Sequence, residues 1–164
     1  METLGSEVLD TPVGPLVIVS HEDGAVAVCG FSRTSEELFD SLRIPQEPTS
    51  PRREPTAAAA ALRAYFDGDL TAIDAVEVRQ PGTTLMQEAW QRLRNQPAGV
   101  TMTYSEMLPK APRAAGRACA VNRVGILVPC HRVHRTDGNL GGYTWGLDIK
   151  RWLRHHENQA DSLF

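Results

Sequence analysis

The sequence predicts two joined parts. An N-terminal α/β domain with a small antiparallel sheet occupies residues 1–80, and a mostly helical C-terminal domain with a helix-turn-helix occupies 84–164. Three observations point to this division. Short apolar runs of strand type lie before residue 80, whereas apolar residues at helical spacing dominate after it. Gln80-Pro81-Gly82 punctuates the chain between them. The formal charge also changes sign there, from −8 over residues 1–84 to +5 over residues 85–164. A chain of 164 residues has room for one ordinary domain or two small ones.

Leu16–Val19 and Ala25–Val28 are short apolar runs flanking His21-Glu22-Asp23-Gly24, a β-hairpin whose Asp-Gly supplies the positive φ of a tight connection. Ser35–Leu42 has a short helical pattern. Pro45, Pro48, Pro51 and Pro55 make the next segment a loop. Thr56 caps a helix through Ala57–Phe66 that ends before Gly68. Ile73–Val78 reads as a further strand. In the second half, Leu85, Ala89, Trp90 and Leu93 recur at helical spacing as far as Pro97-Ala98-Gly99. Thr103 caps a short helix from Tyr104 to Leu108. Arg113–Val121 is a helix with small residues on several faces, and the pair resembles a helix-turn-helix. Gly125–Val128 reads as a brief buried strand, and Asp148–His156 as a last helix with Ile149, Trp152 and Leu153 as its stripe.

Hydrophobic residues make up 41% and charged residues 23%, which supports a packed core and excludes wholesale disorder. No apolar run approaches the roughly eighteen residues of a membrane span. The acidic opening METLGSEVLD is unlike a secretory leader. Cys29, Cys119 and Cys130 are odd in number and widely spaced, which argues against a disulfide framework and for a reducing, cytoplasmic setting. The arginine-rich second half fits either a polyanion partner or ordinary solvated surface.

Pro129-Cys130-His131-Arg132 is the most informative stretch. The proline stiffens the entry, the histidine can act as a base, and Arg123, Arg132 and Arg135 predict an electropositive setting that lowers a thiol pKa. Cys29 and Cys119 lack this company and read as structural. Three other readings stand beside a nucleophile: a small buried hydrophobe, a metal site from Cys119, Cys130, His131 and His134, and a cysteine hydrolase. The spacings fit no compact zinc site, and a hydrolase histidine normally lies far from its cysteine in sequence.

Val128-Pro129-Cys130-His131-Arg132-Val133 resembles the active-site motif of the O6-alkylguanine-DNA alkyltransferases, the methylated-DNA–protein-cysteine methyltransferases. The resemblance extends along most of the chain and is strongest over residues 83–157. Asn122 and Arg113 stand eight and seventeen residues before the cysteine, like the family's hinge asparagine and arginine finger. Gly141-Gly142-Tyr143-Thr144-Trp145-Gly146-Leu147 is similar to its glycine-tyrosine loop, and Glu157 sits where its relay glutamate does. Trp90, Leu93, Pro97, Gly99, Thr101, Thr103 and Tyr104 keep the family spacing, and Thr11–Leu16 resembles its N-terminal strand. The chain departs in four places. The stretch from Tyr104 to Arg113 is shorter by roughly a turn of helix, Arg123 replaces a proline after Asn122, Gln96 replaces an apolar residue, and Pro112 replaces a small one.

The resemblance implies a ribonuclease H-like first domain and a winged-helix-like second domain. It implies irreversible, single-turnover transfer of an alkyl group from O6-alkylguanine in double-stranded DNA to Cys130. His131 would take the thiol proton through a water, Glu157 would orient the imidazole, and Tyr104 would donate to the departing base. Backbone groups around Val128, Cys130 and Thr144 would bind the base edge, with Tyr143 packed against it and Asn122 tying the turn. Arg113 would fill the hole left by a flipped base, at an unstacking cost on the order of a few kcal/mol. Small residues such as Ala114, Ala115 and Ala118 would let the helix enter the minor groove. The resemblance implies a monomer with no metal or organic cofactor, no membrane association and no obligate protein partner. A lesion-binding relative with weak repair, or an acceptor redirected to a small molecule, are the alternatives.

Overall fold

The computed structural model describes residues 2–162, which form two compact units. The first takes the chain up to Gln80 together with Arg123–Leu127, and the second takes Pro81–Asn122 and the chain from Val128 onward. Residues 123–127, expected in the second domain, therefore lie in the first unit.

The first unit is built on a four-stranded sheet of order β3-β2-β1-β4, from β1 (Leu4–Thr11), β2 (Gly14–Ser20), β3 (Val26–Phe31) and β4 (Thr49–Pro51). The hairpin is where the sequence predicts it, with Gly24 at φ 93 in the connection. Leu16, Val17, Ile18 and Val19 on β2 are all fully buried, because an inner strand covered on both faces needs an unbroken apolar run. Each such side chain contributes about 1.5–3 kcal/mol.

The sheet is mixed rather than antiparallel, since β4 pairs with β1 in parallel register, Leu4 opposite Thr49. Its proline hid it: Pro51 lacks an N–H, and an edge strand is where that loss is tolerated. The expected strand at Ile73–Val78 is instead a single 3-10 turn, Ala72–Ala75, with Val78 alone bridging to Val26. The expected strand at Gly125–Val128 is likewise absent. Ile126 adopts φ 67, a conformation outside any strand, and only Val124 bridges, to Cys29. Helices α1 (Ser35–Leu42) and α2 (Ala57–Phe66) start on Thr34 and Thr56, whose hydroxyls accept from the amides of Glu37 and Ala59. Glu7 of β1 in turn accepts from the Thr56 hydroxyl at 2.5 Å.

The second unit holds α3 (Thr84–Asn95), α4 (Tyr104–Met107), α5 (Pro112–Val121) and α6 (Leu147–Ser162), with two short strands, β5 (Met102–Thr103) and β6 (Val133–His134), paired in parallel. The helix α4 is one turn long, held by a capping box between Thr103 and Glu106. Four residues separate it from α5, which opens on Pro112. Trp90 of α3 donates its indole N–H to the Ala118 carbonyl at 2.9 Å, and buried Ala115 and Ala118 let the helices approach closely. Gly82 lies against the Trp90 ring, where a Cβ would fall 2.6 Å from Cη2. Among the described residues no helix is long and apolar enough to cross a membrane.

Candidate active site

Cys130 opens a single 3-10 turn, Cys130–Arg132, directly after Pro129. The chain leaves the second unit at Asn122 and returns at Val128, two residues before the cysteine. Asn122 ties those ends together. Its Nδ2 donates to the Val128 carbonyl at 3.1 Å and lies 3.4 Å from Cys130 Sγ. The Val128 carbonyl also accepts from the Cys130 amide at 2.8 Å, so this oxygen serves the turn.

Behind the cysteine runs a buried polar chain. His131 is 0% exposed and its Nε2 lies 2.7 Å from Glu157 Oε2. Arg132 donates to the same carboxylate through Nε at 2.9 Å and Nη2 at 3.0 Å, and through Nη1 to the Gln96 carbonyl at 2.6 Å. Burial pushes the Glu157 carboxyl up, but His131 and Arg132 outweigh it and hold the group well below the usual carboxylate range. Burial pushes the His131 imidazole below its ordinary value, against the pull of Glu157. The site at rest therefore pairs a carboxylate with a neutral imidazole whose Nε2–H donates to Glu157. The buried Nδ1 has no hydrogen-bond partner among the described residues and carries the lone pair.

Burial also raises the Cys130 thiol above its ordinary value, and only the Asn122 contact, the charge of Lys150 and the turn's own backbone oppose this. The expected arginine field is not what acts on the sulfur. Arg132 is engaged by Glu157, and none of Arg123, Arg132 and Arg135 is among the groups that shift the thiol. Cys130 is thus a thiol that needs a base.

Cys130 is 6% exposed, and that small area opens into a pocket of about 310 Å³. Tyr104, Gly116, Cys119, Ala120, Gly142, Tyr143 and Thr144 complete its lining. Tyr104, Tyr143 and Thr144 are thus brought together with the cysteine, whereas Val128 is buried outside this lining. Burial raises the Tyr104 phenol, so its O–H stays a donor at neutral pH. The edge of Tyr143 meets the His131 ring at a centroid distance of 6.5 Å. Arg113 is exposed at the start of α5 beside half-buried Ala114, and lines an adjoining cavity rather than this one.

Two participants escaped the sequence reading. Lys150 is 0% exposed, and its Nζ donates to the carbonyls of Val133 at 2.8 Å, Leu140 at 2.5 Å and Gly142 at 3.2 Å. It pins the loop that walls the pocket. The signal was spacing: Lys150, Leu153 and Glu157 fall on one face of α6, at i, i+3 and i+7. Cys119, read as structural, lines the pocket, whereas Cys29 is fully buried. Among the described residues no three His, Cys, Asp or Glu side chains gather as a metal site would require.

Residues 84–159 match the family model described as "6-O-methylguanine DNA methyltransferase, DNA binding domain". A methylated-DNA–protein-cysteine methyltransferase from Shigella flexneri is 34% identical over 96% of this chain and 97% of its own length. The crystal structure of a single-residue variant of Mycobacterium tuberculosis OGT is similar at 32% identity and a TM-score of 0.77, covering 97% of this chain and 94% of that one. That of Mycobacterium tuberculosis OGT in complex with DNA is similar at 29% identity and a TM-score of 0.73, covering 94% and 93%. With a pocket cysteine backed by a histidine–glutamate pair and this likeness along nearly its whole length, the chain belongs to the methylated-DNA–protein-cysteine methyltransferases.

Proposed function

We infer that this protein repairs DNA by direct reversal, moving an alkyl group from O6 of guanine in a duplex to Cys130 once per molecule. The observation that carries this is the buried His131–Glu157 pair behind a pocket cysteine, with Nδ1 of the imidazole left free to receive a proton.

The chemistry follows from the protonation states. His131 Nδ1 takes the Cys130 proton through a bridging water, and the resulting imidazolium is stabilised by the Glu157 carboxylate. Asn122 and the charge of Lys150 favour the thiolate once formed. The sulfur attacks the alkyl carbon in line, the carbon–O6 bond breaks, and its electron pair stays with the guanine. Tyr104 donates to the base as that charge develops. Overall one S–H and one C–O bond are exchanged for one S–C bond and the N1–H bond of neutral guanine, the proton held by the imidazolium passing to the released base through solvent. A thioether has no leaving tendency here, so the acceptor is consumed and no cofactor takes part.

Arg113 fills the stack vacated by the flipped base, and the small residues Ala114, Ala115 and Ala118 allow α5 a close approach to the minor groove. Backbone groups at Cys130 and Thr144, with the Tyr143 ring, receive the base. Within this proposal residues 1–80 form a ribonuclease H-like domain and residues 84–164 a winged-helix-like one, with 123–127 packed into the first unit. The protein acts in the cytoplasm without an obligate protein partner.

Intact-protein mass spectrometry after mixing with a duplex bearing one O6-methylguanine tests the proposal. Repair adds one methyl group in place of the thiol proton, and Cys130→Ala adds none. Binding to the duplex without a change in mass would support the lesion-binding alternative instead.

A further inference from the structure

Beside the pocket that holds Cys130 lies a second cavity, of about 420 Å³. The two share Tyr104, Gly116 and Gly142, and Ser105, Arg113, Arg135 and Thr136 line only the second. Arg113 enters from the start of α5 and Arg135 from the turn that follows β6. Both guanidinium groups are on exposed residues, and neither makes an ion pair or hydrogen bond among the described residues. The first turn of α5 adds uncompensated donors. Ala111 offers no side-chain cap, and Pro112 occupies the first helical position, so the amides that follow are unengaged by any capping side chain. The nearby carboxylate of Asp137 is turned into its own loop, where it accepts from the Asn139 amide at 2.9 Å.

This lining offers positive charge and hydrogen-bond donors from three directions. Such a set suits an oxyanion of tetrahedral shape. Gly141 brings the two cavities into register: a Cβ at that position would lie 3.1 Å from the Tyr104 hydroxyl and 3.8 Å from Arg135 Cγ. A nucleotide places a base and its phosphate on either side of one sugar, and here two adjoining cavities share Tyr104 in their linings.

We propose that the second cavity seats a backbone phosphate flanking the extruded nucleotide, with Arg135 as the positioning residue that grips it. The assignment rests on the Cys130 pocket being the base pocket. Arg135 differs in role from Arg113: one holds the strand that has left the helix, the other occupies the gap it leaves.

The test compares wild type, Arg135→Gln and Arg135→Lys in single-turnover repair of a duplex carrying O6-methylguanine, over a range of salt concentrations. Free O6-benzylguanine is the phosphate-free substrate. Arg135→Gln is expected to slow duplex repair about tenfold and to reduce the slope of log affinity against log salt by about 0.9, the share of one phosphate contact. Reaction with the free base stays at the wild-type rate, and Arg135→Lys restores the slope. A neutral methylphosphonate in place of the lesion's flanking phosphate brings wild type down to the Arg135→Gln rate and leaves the variant unchanged. An unaltered salt slope, an equal loss on the free base, or additive losses from variant and methylphosphonate would each overturn the assignment. Failure of Cys130 in the wild type to gain a methyl group from the O6-methylguanine duplex with all its phosphates intact would remove the base-pocket reading beneath it.

Discussion

At the Cys130 sulfur, burial opposes the anion that the chemistry needs, so the proton must be taken at the moment of reaction. His131 is placed for this because Glu157 holds Nε2 and leaves Nδ1 available. In wild type the transfer rate is therefore expected to be flat from neutral pH down past the ordinary histidine value, since the imidazole is held below it. In His131→Gln the rate should climb about tenfold per pH unit between pH 7 and 9, as thiolate formation falls to hydroxide. A flat profile in that variant would remove the base role. Stability has its own sign. Glu157 is depressed relative to the unfolded chain, so its stabilisation is present above the ordinary carboxylate value and is lost as pH falls toward its folded value. His131, held neutral, contributes in the same direction below its ordinary value. Glu157→Gln leaves Arg132 buried with a weaker partner, at an expected cost of about 3–5 kcal/mol at neutral pH, and should flatten the acid limb of a plot of Tm against pH.

Among the elements, α6 makes the largest contribution to the site, by carrying Lys150 and Glu157 on one face. Lys150→Met removes the donor from three carbonyls, of Val133, Leu140 and Gly142. The expected loss is about 2 kcal/mol of stability, read as a lower Tm. The rate should fall equally on duplex and free base, because the loop walls the pocket itself. A loss confined to duplex DNA would place Lys150 in DNA binding instead. The departures from the family pattern find local explanations. The Arg123 amide donates to Gln80 Oε1 at 2.9 Å, a bond a proline could not make. Gln96 spans its turn by donating from Nε2 to the Val100 carbonyl at 3.0 Å.

Those same elements show how far the sequence could be read. The hairpin and helices α1 to α5 were legible, α2 and α4 from the caps Thr56 and Thr103 and the others from their residue pattern, because caps and periodicity are local signals. The strand β1 was not, since Leu4 and Leu9 are separated by Gly5, Ser6 and Glu7 and followed by Asp10, and β4 was hidden by Pro51, which only its place at the edge permits. Ile73–Val78 and Gly125–Val128 carry apolar residues that are buried in turns, and burial without periodicity cannot separate a turn from a strand. For the site, the Cys-His motif and the distant Glu157 were readable from spacing. The role of Lys150 depends on three carbonyls that only the folded loop assembles.

For the whole molecule, charge division sets the partner. The second half carries +5 against −8 in the first, so the attraction to a polyanion is local rather than a property of the net charge of −3. Raising salt from about 50 to 200 mM should slow duplex repair by an order of magnitude or more while leaving reaction with free O6-benzylguanine unchanged. Equal sensitivity of both substrates would mean that salt acts on the fold.

The most direct measurement follows the carbon itself. A duplex carrying a trideuteromethyl group at O6 of one guanine is incubated in excess with the protein, which is then digested and mapped by mass. The label should appear on the peptide containing Cys130, rise to one per molecule and stop, with unmodified guanine recovered in equal amount. Label on another residue, or guanine restored beyond one per protein, would contradict the account.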